Sequence, residues 1–172
     1  MTLSATIQMT INGTLTQDDT VAVQTDTING QSTALPSLNF SIADGTGALQ
    51  ASKWYRAKRT LAAGANDDLD LSGVLTSPLT GATISFTAIK GLIISIYSPD
   101  GTKLVRVGPG SASNPWSGPI KGTTPYVEVP YVQMFLNPSA AGWPVTAGTA
   151  DILRITNPGA TSLDYFVWIF GI

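Results

Sequence analysis

From Thr83 to Gly171 the chain alternates brief apolar runs with turns rich in Gly, Pro, Asn and Ser, and almost no window along it sustains a helical pattern. Apolar residues at every second position give a strand one buried face. Many short strands separated by turn signals close into a sandwich, and one double-sheet form of that sandwich is the jelly roll. The expected fold is therefore all-β: a jelly-roll-like antiparallel β-sandwich with an N-terminal β-hairpin or arm region.

The first residues fit that description. Leu3, Ala5, Ile7, Met9 and Ile11 alternate with Ser4, Thr6, Gln8 and Thr10, which predicts a strand. Asn12-Gly13 supplies the positive φ of a tight hairpin turn. The return strand is expected from Thr14 past Asp18-Asp19 into Val21 to Thr25, with a second turn at Asn29-Gly30. Leu38 to Ile42 reads as a short strand. Ala48 to Leu61, with Trp54 and Tyr55, fits a strand or a short helix. Ala62-Ala63-Gly64-Ala65-Asn66 breaks it, and the expected organisation is an arm or subdomain over residues 1–62 and a jelly roll over 63–172.

Beyond that break, strands are expected at Thr83 to Ile89, Leu92 to Tyr97, Leu104 to Val107, Tyr126 to Phe135, Trp143 to Thr146, Asp151 to Thr156 and Tyr165 to Phe170. Ser98-Pro99-Asp100-Gly101 and Asn157-Pro158-Gly159 are turn sequences. The expected core contributors are Ile93, Ile94, Ile96, Val105, Val107, Val127, Val129, Ile152, Leu153, Ile155, Phe166, Val167 and Ile169. Burying each is worth on the order of 1.5–3 kcal/mol.

Composition narrows the function. The 172 residues suffice for one ordinary domain with a substantial core. Charged residues make up 12% of the chain, about half the usual share of roughly 25%. Neutral Thr, Ser, Asn and Gln must therefore cover the surface. Such side chains lose little entropy when a partner covers them, although Thr also simply suits a pleated surface. The formal charge is −2, and the only basic cluster is Lys53-Trp54-Tyr55-Arg56-Ala57-Lys58-Arg59. Nucleic-acid binding needs a basic face, so no nucleic-acid partner is expected. The chain has no Cys and no His, which excludes disulfides and most zinc, copper and haem ligation. The first residues lack the features of a signal peptide. No apolar stretch reaches the roughly 20 residues of a membrane helix. No membrane partner is expected, and folding in a cytoplasm is.

Catalytic chemistry is hard to assemble. General acid–base catalysis recruits His or a tuned carboxylate pair, and Glu128 is the single Glu. Asp67, Asp68 and Asp70 lack the spaced ligands and closing Glu of a calcium loop and read better as a polar turn in which one Asp caps backbone N–H groups. Gly45-Thr46-Gly47 and Gly108-Pro109-Gly110 lack the lysine and helix of a phosphate loop. No enzyme activity, metal or cofactor is expected. Trp116, Trp143, Tyr126 and Tyr131 are aromatic groups able to stack on sugars, so a carbohydrate-binding sandwich is the alternative. The loop from Gly108 to Pro119 is uncharged, Pro-stiffened and carries Trp116, which either anchors a protein partner or folds back over the end of the sandwich.

One further pattern bears on setting. Gly45-Thr46-Gly47-Ala48, Arg59-Thr60-Leu61-Ala62-Ala63-Gly64, Asp68-Leu69-Asp70-Leu71 and the Ile-rich strand at 92–96 come first. Val107-Gly108, Ser113-Asn114-Pro115-Trp116, Gly142 to Asp151 and Leu153-Arg154-Ile155-Thr156-Asn157 follow. Taken in this order, the segments resemble a family of small virion proteins of tailed bacteriophages. The likeness spans nearly the whole chain, is densest after residue 45, and consists of structural rather than catalytic elements. It implies a jelly-roll domain that decorates or cements a capsid, frequently as a homotrimer, bound to the major capsid protein on the virion surface after assembly in the host cytoplasm. On that footing the expected partner contacts are Trp54, Arg56, Trp116 and Trp143, and the segment before Ala62 is expected to reach the shell or a neighbouring subunit. The carbohydrate-binding alternative, in the same setting, is a head- or tail-fibre adhesin.

Overall fold

A computed structural model describes residues 5–8, 13–19, 22–28, 39–77, 81–97 and 101–172. The described residues contain strands and no helix. They divide into two compact units, Ser4–Ala43 and the chain from Asp44 to Ile172.

In the N-terminal unit, β1 (Ala5–Gln8) pairs antiparallel with β4 (Asn39–Asp44), Ala5 opposite Ile42 and Gln8 opposite Asn39. The strands β2 (Gly13–Asp19) and β3 (Ala22–Ile28) form an antiparallel pair from Gly13↔Ile28 to Asp19↔Ala22. The expected hairpin across Asn12-Gly13 is thus corrected: the partner of β1 is β4, and Gly13 opens a different pair. The single return strand through Asp18-Asp19 is corrected too. Asp18 and Asp19 are the last residues of β2, opposite Val23 and Ala22 of β3. Asn12, the Asn29-Gly30 pair and Ser98-Pro99-Asp100 lie outside the described residues.

The second unit is the sandwich. After β5 (Gln50–Ala51) come β6 (Lys53–Leu61), β7 (Asn66–Asp70), the short β8 (Leu75–Thr76) and β9 (Thr83–Ile84), β10 (Ala88–Ile96) and β11 (Val105–Gly108). The chain continues through β12 (Val127–Val129), β13 (Val132–Leu136), β14 (Trp143–Pro144), β15 (Ile152–Thr156) and β16 (Leu163–Gly171). One sheet has the order β13-β10-β16-β6, with β14 beside β10, and the other has the order β12-β11-β15-β7. The antiparallel pairs nest: β6 with β16, β7 with β15, β10 with β13, β11 with β12. First meets last and inner meets inner, which is a folded ribbon wound into a jelly roll.

This wiring moves the domain boundary. β6 spans the full length of β16, from Leu61↔Leu163 to Lys53↔Gly171, so it belongs to the sandwich. The division expected at residues 62 and 63 falls at Ala43 and Asp44 instead. The Ala62 to Asn66 break is the corner between the two sheets. Asn157, almost fully buried, holds that corner: its Nδ2 donates to the carbonyls of Leu61, Ala62 and Thr161, and its Oδ1 accepts from the Gly159 N–H at 2.9 Å.

Two other expectations change. The strands expected at Thr83 to Ile89 and Leu92 to Tyr97 are largely one strand, β10, with a register shift between Ile89 and Gly91. The strand expected at Tyr126 to Phe135 is two, split at Pro130-Tyr131 and sent to different sheets. A proline has no N–H for a ladder, so it favours a break there.

The core lies between the sheets. Tyr55, Leu61, Leu92, Ile94, Ile96, Leu163, Tyr165, Val167 and Ile169 from one sheet meet Leu69, Val105, Val107, Val129, Leu153 and Ile155 from the other. Of the expected core residues, Ile93, Val127, Ile152 and Phe166 are only half-buried. A polar cluster also crosses the interlayer. The Arg59 guanidinium pairs with Asp67 through Nε and, at 2.8 Å, through Nη2, and donates to the Tyr55 hydroxyl at 3.1 Å. The buried Tyr165 hydroxyl donates to Asp67 at 2.6 Å. Burial, reinforced by the bond to Asp67, raises the Tyr165 pKa well above its ordinary value.

Candidate functional site: the outer sheet face

Strands β10 and β16 read AIKGLIISI and LDYFVWIFG. Both are apolar at odd and even positions alike, the pattern of a strand covered on both faces. The core takes one face. Register assembles the other into rows: Trp54, Phe170, Gly91 and Leu136; then Arg56, Trp168, Ile93 and Met134; then Lys58, Phe166, Ser95 and Val132. The result is an aromatic and aliphatic outer face on the β13-β10-β16-β6 sheet, in which Phe170 and Gly91 are buried, Trp54, Ile93, Met134, Leu136, Phe166 and Trp168 are half-buried, and Val132 is exposed.

Ring contacts tie the surface together. Phe166 and Trp168 lie 5.4 Å apart, and Tyr97 meets Phe166 edge-on at 5.6 Å. The Arg56 guanidinium sits 5.7 Å from the Trp54 ring, and the Lys58 ammonium lies 3.9 Å over Tyr97. Gly91 makes the flatness possible, because a Cβ there would fall 1.9 Å from the Phe170 ring. Val132, 62% exposed, and Tyr97, 47% exposed, continue the face towards solvent at one end.

The cations line one side. β6 is the last strand of its sheet and carries Lys53, Arg56, Lys58 and Arg59. Lys58 pairs with Asp164 at 2.8 Å, and that hydrogen bond raises the Lys58 pKa. Reciprocally, the bonds from Lys58 and from the Thr60 hydroxyl at 2.7 Å hold the Asp164 carboxyl below its usual range. Arg59 turns inward to Asp67. Arg56 is exposed, and among the described residues no carboxylate lies within ion-pair distance of it.

Of the four residues expected from sequence, Trp54 and Arg56 therefore share this surface. Trp116 and Trp143 do not join them. Trp116 is only 2% exposed: its N–H bonds to the Ile152 carbonyl at 2.8 Å and its indole Nε1–H to the Pro144 carbonyl at 3.0 Å. Its ring lies over Gly118, where a Cβ would sit 2.3 Å away, and meets Trp143 edge-on at 6.3 Å. The loop folds back over the core, so Trp116 is corrected from partner anchor to core residue. Trp143 is half-buried against the same cluster. Burial removes Trp116 as a sugar platform.

The residues missed from sequence, Trp168, Phe166, Phe170 and Met134, had a signal in the two-sided apolarity of β16 and β10. Asp67, Asp68 and Asp70, expected in a polar turn, lie instead on strand β7, where Asp67 pairs with Arg59 and Asp68 with Arg154; only Asp70, at the end of the strand, caps locally, accepting from the Ser72 N–H at 2.8 Å. Among the described residues no three or more His, Cys, Asp or Glu are grouped to hold a metal, and no helix is long and apolar enough to cross a membrane.

Comparison with known proteins returns no matching family model, no matching curated protein and no matching solved structure.

Proposed function

We propose that this chain is a virion structural protein, a cement or decoration protein that binds the major capsid protein lattice of a tailed bacteriophage through the outer aromatic face of its sandwich. The observation that carries the reading is the double apolarity of β10 and β16. A sandwich needs one apolar face per sheet, and here a second is supplied and kept flat.

Magnitudes favour repeated, non-catalytic attachment. The nine-residue strands β6, β10 and β16 with the five-residue β13 present roughly 350 Å² of sheet face, its charged residues included. Contiguous apolar patches of this order mark interaction sites. A standard interface, however, buries about 800 Å² on each partner, so one face supplies about half. Repetition on a lattice, as a homotrimer, multiplies such modest contacts through effective concentration. Arg56, with no carboxylate partner among the described residues, fits an acidic group on the shell, and Trp, Tyr and Arg are the residue types that dominate interface energetics.

Cryo-electron microscopy of intact particles, together with binding of the purified protein to particles lacking it, tests the reading. The expected result is density on the shell with β16 facing it, and at least a tenfold loss of binding in Trp168→Asp. Density elsewhere on the particle, or full binding by that variant, refutes it. Sedimentation of the same variant reports whether the face instead joins copies of this chain. Deleting residues 1–43 measures the contribution of the N-terminal unit to occupancy.

A further inference from the structure

The opposite sheet carries a cleft of about 290 Å³, at the lower end of the roughly 300–1,000 Å³ typical of small-ligand sites. It has room for one ring rather than a chain. Its walls are fixed. Arg154 spends Nε and Nη2 on Asp68, both at 2.7 Å, and Nη1 on the Gly110 carbonyl at 3.0 Å. Arg106 holds Glu128 at 3.1 Å, its guanidinium 4.4 Å from the Tyr126 ring. The loop between them is strained: Ser111 has φ 60° while its N–H donates to the Thr123 carbonyl at 2.9 Å. A non-glycine residue held left-handed costs about 1–3 kcal/mol, and such strain gathers at ligand sites.

The chemistry presented is specific. Each guanidinium is already neutralised by a carboxylate, so the cleft has no formal charge to offer an anion. What remains is a ring of uncharged polar groups from Ser111, Thr124, Tyr126 and Asn66. The Asn66 carbonyl oxygen already accepts from Thr156 at 2.6 Å, leaving its amide N–H groups to a ligand. Tyr126, 47% exposed, is the one aromatic side chain in the lining. Rigid donors, hydroxyls that both give and accept, and a single flat ring complement a polyol with one apolar face.

We infer that this cleft binds carbohydrate, as a single neutral pyranose unit held by the hydroxyls and the Asn66 amide and seated on Tyr126. This activity is separate from lattice attachment, and the two sites lie on opposite faces of the sandwich.

Saturation-transfer NMR on the full chain tests it. The probes are the methyl glycosides of glucose, galactose, mannose and N-acetylglucosamine, with sulfate and N-acetylneuraminic acid as anionic controls. Transfer to at least one neutral glycoside is expected, reduced at least tenfold in Tyr126→Ala and in Thr124→Val and unchanged in Trp168→Ser. Both altered side chains are exposed, and an unchanged melting curve verifies that the variants fold. No transfer to any neutral glycoside, transfer that survives both cleft variants, or binding of the anionic controls alone overturns the inference. Lattice binding measured in Tyr126→Ala separates the two sites: it stays intact whether or not sugar binding is found.

Discussion

The two outer faces of this sandwich are built from the same strand geometry and opposite chemistry. On the β12-β11-β15-β7 sheet, outward side chains meet as partners: Arg106 with Glu128, Arg154 with Asp68, Thr156 with Asn66. Both outward arginines there are cancelled by a carboxylate across the ladder, which leaves a surface content with water. On the β13-β10-β16-β6 sheet the outward rows hold Trp54, Trp168, Phe166, Ile93 and Met134, with Arg56 unpaired at the margin. Cross-strand pairs stabilise both sheets by a few tenths to about 1 kcal/mol each, so stability alone does not select the second composition. Attachment does.

The sharpest contrast is between an aromatic side chain inside the sandwich and one on its outer face. Trp116→Ala should cost about 3–5 kcal/mol of stability, as large core truncations do, whereas Trp168→Ala should cost about 1 kcal/mol, the scale of a cross-strand pair. Urea melting of both variants measures this, and equal losses would erase the distinction between core and face. Particle binding should invert the order: Arg56→Glu is expected to weaken attachment by about 2 kcal/mol, a hot-spot loss, with little change in melting. Asp68→Ala, on the polar face, should leave attachment intact and cost less than about 1 kcal/mol of stability, as exposed ion pairs do. A polar-face variant that lowers occupancy as much as Arg56→Glu would show that both faces attach.

A pH titration probes the layer between the faces. Burial and the bond to Asp67 keep the Tyr165 hydroxyl protonated in the folded chain far above the ordinary tyrosine value of about 10. A raised pKa of this kind leaves stability whole below pH 10 and erodes it above, because only the unfolded chain releases the proton there. The expected loss is about 1.4 kcal/mol for each pH unit above about 10, and it should be absent in Tyr165→Phe. Urea midpoints from pH 9 to about 11 read it directly.

These contrasts also explain how much was legible in the sequence. Strands β15 and β16 stand close to their expected limits because their inward residues alternate without interruption. Ile93 and Phe166 were expected in the core and lie on the outer face instead, since a strand apolar at both parities does not reveal which side is inward. The expected strands leave a gap at Lys90 and Gly91, and Lys is in general rarely buried. Yet Lys90 is fully buried in the middle of β10, its ammonium bonded to the carbonyls of Thr46 at 2.9 Å and Gly47 at 2.5 Å. Those acceptors lie more than forty residues away in the chain, and no local pattern signals them. For Trp116 the sequence leaves both a partner anchor and a folded-back loop open, because Pro144 and Gly118 become its neighbours only after the loop folds.

Lys90 has a consequence for register. Slippage by one residue exchanges the two sides of a strand, and β10, oily on both, would otherwise tolerate the error. A displaced Lys90 would drag its ammonium away from the carbonyls of Thr46 and Gly47 and into hydrocarbon. The bulge at this position would therefore act as an alignment key, because a ladder slipped by one residue would leave an unsolvated cation in it.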